Sequence, residues 1–256
     1  MMLNEKILIS TVSADKSSRI REIFEPLGAA VVDFPMTEIQ SAGITEDDIK
    51  ALKFIKKYHW IIFTSPNGVI HFYKLLKETT GISGIPSGIK TAAIGIKTAS
   101  ELEKRGRKPD YMGKGSTSED LANELSAMDS IKGCNILLPL GNLAASALEE
   151  KLNSSANVLR INVYDTVMRN ITNDEPARLI RENRYHMVLL TSPSGVSGFA
   201  DALGNEISLG SIRAASIGKV TSAAAEQYGI RCLVTAARST YEGLAEEIVN
   251  YYTTNT

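Results

Sequence analysis

The sequence predicts an α/β protein built on parallel sheets, and three observations carry that expectation. Short apolar runs alternate with stretches of helical periodicity along the whole chain. Tight turns containing Ser, Pro or Gly separate several of these runs from the helix that follows. The pattern is also written twice. Trp60-Ile61-Ile62-Phe63 leads into Thr64-Ser65-Pro66-Asn67-Gly68, and Met187-Val188-Leu189-Leu190 leads into Thr191-Ser192-Pro193-Ser194-Gly195. Each reads as a buried strand, a Ser-Pro turn and a helix opening at Gly-Val.

The repeat extends beyond those turns. Ala92-Ala93-Ile94-Gly95-Ile96-Lys97-Thr98 resembles Ala215-Ser216-Ile217-Gly218-Lys219-Val220-Thr221, with Ile-Gly-x-x-Thr in common. Ser116-Thr117-Ser118-Glu119-Asp120-Leu121 resembles Ser239-Thr240-Tyr241-Glu242-Gly243-Leu244. The step from Gly95 to Leu121 equals the step from Gly218 to Leu244, at 26 residues. Ile7-Leu8-Ile9 matches Ile136-Leu137-Leu138. The period far exceeds the ~20–50 residues of a solenoid unit, so it reads as one α/β unit doubled.

Candidate strands in the first copy are 6–10, 29–34, 59–64, 90–94 and 108–112. In the second they are 134–138, 157–162, 186–191, 212–217 and 230–234. Between them, 69–77 and 98–105 carry apolar residues at helical spacing. Strands alternating with helices imply parallel sheets covered on both faces, joined by right-handed crossovers. Ligands then bind at the carboxyl ends of the strands. Phe34-Pro35-Met36-Thr37-Glu38 and Val163-Tyr164-Asp165-Thr166-Val167-Met168 contain no glycine and read as extended connections. One domain is then expected to join both chain ends, and the other to hold the middle.

Composition narrows the chemistry. A net charge of −1 gives no global field for nucleic acid or an acidic membrane. No apolar run nears the ~20 residues that span a bilayer, and the start lacks a signal-peptide core. A cytoplasmic monomer is expected. Cys134 and Cys232 form no CxxC pair and read as free thiols packed beside strands. His59, His71 and His186 lack partners at metal-ligand or triad spacing. Gly-x-Ser-x-Gly, the P-loop and Gly-x-Gly-x-x-Gly are absent, so nucleotide binding is unsupported. The positive signal is anion binding. A strand-to-helix turn leaves the first helical N–H groups unpaired, and this chain has such turns in both copies.

The TSPNG and TSPSG turns, Val-Tyr-Asp-Thr at 163–166, Ser-Ile-Gly-x-x-Thr at 216–221 and Ser-Thr-x-Glu-x-Leu near the C-terminus together resemble the uroporphyrinogen-III synthase family. The resemblance covers essentially the whole chain, and its specificity lies in order and spacing. It implies two flavodoxin-like α/β domains joined by a two-stranded linker, about 34–38 and 162–169. One domain would comprise 1–35 plus 170–256 and the other 38–162. It implies an enzyme that cyclises the small molecule hydroxymethylbilane, a linear tetrapyrrole with eight carboxylates, to uroporphyrinogen III. Water is lost and the terminal ring is inverted, with no metal and no organic cofactor. A transient hand-over from hydroxymethylbilane synthase would supply the substrate.

Onto that chemistry the resemblance maps Tyr164 as hydrogen-bond or proton donor to the leaving hydroxyl. Thr64, Ser65, Asn67 and Gly68 in one turn, and Thr191, Ser192, Ser194 and Gly195 in the other, would bind carboxylates. Backbone amides matter there more than side chains. Thr98 and Thr221 would offer hydroxyls in the first turn of a helix, or serve as plain N-caps. Lys97, Lys219 and Arg213 would supply positive charge, with Arg238 a weaker candidate. Two readings from other classes stand beside the enzyme: a non-catalytic two-domain anion-binding protein, and a family member without activity.

Overall fold

The computed structural model describes residues 2–115, 117–169 and 174–254. Ser116 and the domain boundary expected at 170 lie outside the described residues. In chain order the first elements are β1 (Ile7–Ser10), α1 (Ser17–Phe24), β2 (Ala30–Asp33), β3 (Thr37–Ser41) and α2 (Glu46–Lys53). Next come β4 (Trp60–Phe63), α3 (Pro66–Thr80), β5 (Lys90–Ala93), α4 (Ile96–Glu103), β6 (Tyr111–Met112) and α5 (Ser118–Ser126). Then follow β7 (Asn135–Gly141), α6 (Ala147–Asn153), β8 (Asn157–Met168) and α7 (Glu175–Arg181). The chain closes with β9 (Met187–Leu190), α8 (Pro193–Leu203), β10 (Ala214–Ser216), α9 (Lys219–Gln227), β11 (Cys232–Thr235) and α10 (Tyr241–Thr254).

The chain divides into two compact units: Met1–Glu38 with Val167–Thr256, and Ile39–Thr166. The first carries a sheet of order β11-β10-β9-β1-β2, and every pair in it is parallel. The second carries β3-β8-β7-β4-β5-β6, with parallel pairing from β8 to β6. Set β3 aside and the two orders correspond, with β7 and β8 in the places of β1 and β2. Numbered by chain order, the first domain reads 2-1-3-4-5, the flavodoxin-like winding, and the second reads 5-4-1-2-3, the same arrangement entered at its third strand. The fold is therefore α/β with two parallel sheets. Each sheet takes two strands from one copy of the repeat and three from the other.

All ten expected strands are present, most within one or two residues of the expected ends. The connections are expected to run as strands, and what differs is their extent. Strand 157–162 does not stop before the Val-Tyr-Asp-Thr segment but runs through it, so β8 is twelve residues long. Thr37–Ser41 forms a strand beside it. Once β8 continues, its edge needs a partner for its N–H and C=O groups, and β3 supplies one.

Each sheet has a core on both faces. In β9, Val188 and Leu190 pack with Phe199 and Leu203 of α8, while Met187 and Leu189 pack with Ile20, Phe24 and Leu244. In β4, Ile61 and Phe63 meet Val69, Phe72 and Leu76 of α3, while Trp60 and Ile62 meet Leu121, Leu125 and Leu148. Neither strand alternates in polarity, because both of its faces are covered.

The doubling reaches the amino edges of the sheets. His59 Nδ1 accepts the Asn135 N–H at 2.9 Å, and His186 Nδ1 accepts the Ile7 N–H at 3.0 Å. Both histidines precede a central strand and tie it to the neighbouring one.

Candidate anion-binding site

Because the strands are parallel, the loops that follow them gather at one edge of each sheet. That edge holds most of the residues expected to bind a ligand.

The Ser-Pro turns are built alike. Ser65 has φ −154 and ψ 153, and its Oγ accepts the Gly68 N–H at 2.9 Å. Ser192 has φ −161 and ψ 155, and its Oγ accepts the Gly195 N–H at 3.1 Å. Each is followed by proline at the first helical position, which has no N–H to offer. These helices therefore satisfy most of their own donors, and in the first turn the Asn67 or Ser194 N–H is the one with no acceptor among the described residues. Gly68 sits against β7, and Gly195 against the loop that follows β1. A Cβ on Gly68 would lie 2.9 Å from the Pro139 carbonyl oxygen, and one on Gly195 would lie 3.4 Å from Thr11 Oγ1.

The Ile-Gly turns are richer in donors. Gly95 and Gly218 are the N-caps of α4 and α9, and neither helix has a side-chain cap. The first intrahelical bonds run from Ala99 to Gly95 and from Ser222 to Gly218, both at 3.0 Å. The N–H groups of Ile96, Lys97 and Thr98, and of Lys219, Val220 and Thr221, have no acceptor among the described residues. Three donors and the positive end of the helix dipole face outward in each domain. Lys97 and Lys219 are exposed there. Thr98 and Thr221 are 2% and 4% exposed at the third helical position. They are not N-caps, and they offer a ligand chiefly their backbone.

Beside these donors lie apolar side chains in water. Ile96 and Val220 are each 76% exposed. An unpaired N–H cluster next to an exposed aliphatic side chain suits a ligand that is both anionic and apolar. The motif spacing gave no sign of these two residues, which stand at its variable positions.

Tyr164 belongs to the second domain's edge. After a register shift between Leu140 and Gly141, Tyr164 pairs with Gly141. A Cβ on Gly141 would lie 2.4 Å from Tyr164 Cζ, so the ring occupies the space a side chain would need. The phenol oxygen is 3.2 Å from Ser65 Oγ, which links it to the N-terminus of α3. The His71 ring is 5.7 Å from the Tyr164 ring, and His71 Nδ1 is 3.4 Å from Ser41 Oγ. Burial, and then the positive charge of Lys74, pushes the His71 pKa below the usual histidine value.

Two expected basic residues lie elsewhere or are engaged. Arg213 precedes β10, whose Ala214 and Ser216 pair with Val188 and Leu190 of β9. It therefore sits at the amino edge, opposite the Ser192 turn, and stacks on Tyr185 at 4.5 Å. The expectation that Arg213 reaches a ligand at the carboxyl edge is corrected by strand polarity. Arg238 is held by Glu246 at 2.6 and 2.5 Å.

Two outcomes follow. Gly141→Ala must expel the Tyr164 ring, and overpacking of this kind costs ~1–3 kcal/mol. The urea midpoint falls, and the NMR signals of Tyr164 and His71 move together. Unmoved rings would contradict the packing. A lowered His71 pKa means that the unfolded chain binds more protons than the folded one, so stability rises with pH across the histidine range. Acidification from pH 7.5 to 5.5 lowers the urea midpoint, read by the fluorescence of the single tryptophan, Trp60. His71→Gln flattens that slope, with the remainder due to His186, which is shifted the same way by burial and by nearby Lys6 and Arg213. An unchanged slope in His71→Gln would contradict the assignment.

The sequence profile of the family described as uroporphyrinogen-III synthase HemD matches residues 18–246. A uroporphyrinogen-III synthase of Chlorobaculum parvum is 27% identical over 234 residues, covering 88% of this chain and 90% of that one. Two solved structures share the fold. The uroporphyrinogen-III synthetase of Helicobacter pylori has a TM-score of 0.58 at 16% identity, covering 96% of this chain and 99% of that one. A mutant uroporphyrinogen III synthase of Thermus thermophilus has a TM-score of 0.55 at 17% identity, covering 97% and 99%. With the profile spanning nearly the whole chain, this protein belongs to the uroporphyrinogen-III synthase family.

Proposed function

We propose that this chain closes the linear tetrapyrrole hydroxymethylbilane to uroporphyrinogen III, losing water and inverting the terminal ring through a spiro intermediate. The observation that carries the reading is family membership across residues 18–246. The carboxyl-edge chemistry supports it. The substrate presents eight carboxylates and four pyrrole rings. Each domain offers unpaired helix N–H groups and a lysine, with an exposed Ile96 or Val220 alongside. Carboxylates take the N–H groups and ammonium, and ring faces rest on the aliphatic side chains.

Departure of hydroxide from the hydroxymethylpyrrole leaves an azafulvene cation stabilised by its own ring nitrogen. The electron push comes from the substrate, so the chemistry asks for no cofactor. The protein supplies a proton donor, a folded substrate and exclusion of water. Tyr164 is the donor. Ser65 Oγ accepts from Gly68 and lies 3.2 Å from the phenol oxygen; with the serine hydroxyl as donor of that pair, the Tyr164 O–H is left for the leaving hydroxyl. Water departs with that proton. The cation meets the far ring at its substituted carbon, and the spiro intermediate rearranges. Rearomatisation releases a proton that restores the phenol. Free bilane closes head-to-tail without inversion, which favours its transient hand-over from hydroxymethylbilane synthase.

The deciding experiment supplies hydroxymethylbilane, oxidises the products and resolves uroporphyrin I from III. Isomer III is expected. Isomer I alone at high protein concentration would overturn the reading and favour a non-catalytic anion binder or an inactive member. Tyr164→Phe lowers isomer III formation by up to roughly 100-fold, the low end of acid catalysis, with little change in the urea midpoint. Unchanged turnover would remove Tyr164 from the mechanism. Gly95→Asp separates binding from stability. Gly95 is extended at φ −173, and a Cβ there meets nothing within 4 Å. The new carboxylate caps α4, adds a few tenths of a kcal/mol and occupies the donors the substrate needs. KM rises by about tenfold, the loss of one charged hydrogen-bond site. A more stable variant with unchanged KM would place the carboxylates elsewhere.

A further inference from the structure

Arg213 leads to a pocket in the first domain, at the amino edge of its sheet and opposite the turns described above. The pocket is about 470 Å³ and is lined by Tyr185, His186, Arg213, Leu233, Tyr251 and Tyr252 among others. That volume lies within the range of small-molecule sites. Three tyrosines stand in its walls. Tyr251 and Tyr252 meet edge to face at 5.2 Å, and the Tyr252 hydroxyl donates to the His186 carbonyl at 3.1 Å. Leu233 is 45% exposed.

Two cations, Arg213 and Lys6, lie in or beside this pocket. Arg213 stacks on Tyr185 at 4.5 Å and donates to the Tyr185 carbonyl. Its Nε is out of solvent with no acceptor. Lys6 lies 4.9 Å over the Tyr252 ring. Neither cation has a carboxylate partner among the described residues. Arg184 also lines the pocket and is paired with Glu182 at 3.1 Å. His186 Nδ1 accepts the Ile7 N–H, so this imidazole adds no charge while that bond holds.

A guanidinium braced on one ring and an ammonium over another, beside further ring and leucine surface, define the ligand. An anion there would meet Arg213, with Lys6 close by above the Tyr252 ring, and a planar apolar body would lie against the tyrosines and Leu233. We propose that this pocket binds a single-ring aromatic carboxylate, at a site separate from the carboxyl edge that carries the family's chemistry. The other domain has the matching cation, Lys90, 5.4 Å over Trp60.

The test is an NMR titration of the full chain with benzoate, with benzyl alcohol and acetate as neutral and non-aromatic probes. Benzoate is expected to shift the amide signals of His186, Leu233 and Tyr252 saturably. Both control probes bind more weakly. Arg213→Met weakens benzoate binding by about tenfold, the loss of one charge-assisted hydrogen bond. Lys6→Met weakens it less and leaves the Tyr185 contacts in place, so it decides the matter if Arg213→Met does not fold. The site is overturned by the absence of saturable shifts, by equal binding of benzyl alcohol, or by undiminished benzoate binding in the folded variants.

Discussion

Parallel pairing of distant segments is the constraint on which the rest depends. Leu8 pairs with Met187 and Ile61 with Leu137, so strands far apart in sequence lie side by side and point the same way. Once their direction is fixed, the turns that follow these parallel strands fall at one edge of the sheet and the returns that precede them at the other. Free N–H groups then concentrate where strands end, and residues that precede strands are excluded from that edge. The core enforces the arrangement, because β4 and β9 are apolar on both faces and cannot be turned outward.

The two domains use the constraint in the same way. A serine that caps its own helix and a glycine that leaves its helix uncapped recur at matching places in both. The Ser-Pro turns contribute shape: close approach at Gly68 and Gly195, and a link from Ser65 to Tyr164. The Ile-Gly turns contribute donors. This division explains why an uncapped helix persists at Gly95, where a better cap would fit. A helix end left unsatisfied costs stability, and retaining it is understandable where a ligand completes it.

Much of this was legible from residues alone. Apolar runs bounded by turn residues placed all ten strands, and the repeat placed the corresponding turns. Other features depended on tertiary structure. Tyr164 and Ser65 are 99 positions apart, and only the register of β8 on β7 brings them together. The space that Gly141 leaves for the Tyr164 ring has no signature in sequence. Ile96 and Val220 stand at the variable positions of their motif, where an apolar residue reads as core. Arg213 is the instructive error: it precedes its strand, so polarity alone puts it at the amino edge, and motif matching overrode that rule.

The central claim is that the uncapped starts of α4 and α9 receive the carboxylates of the tetrapyrrole. Amide hydrogen exchange with and without bound uroporphyrinogen III measures it directly. The account requires slowed exchange at Ile96, Lys97 and Thr98 and at Lys219, Val220 and Thr221, exceeding that at the self-capped Gly68 and Gly195. Protection confined to other segments, with these six amides exchanging as in the free protein, would contradict it.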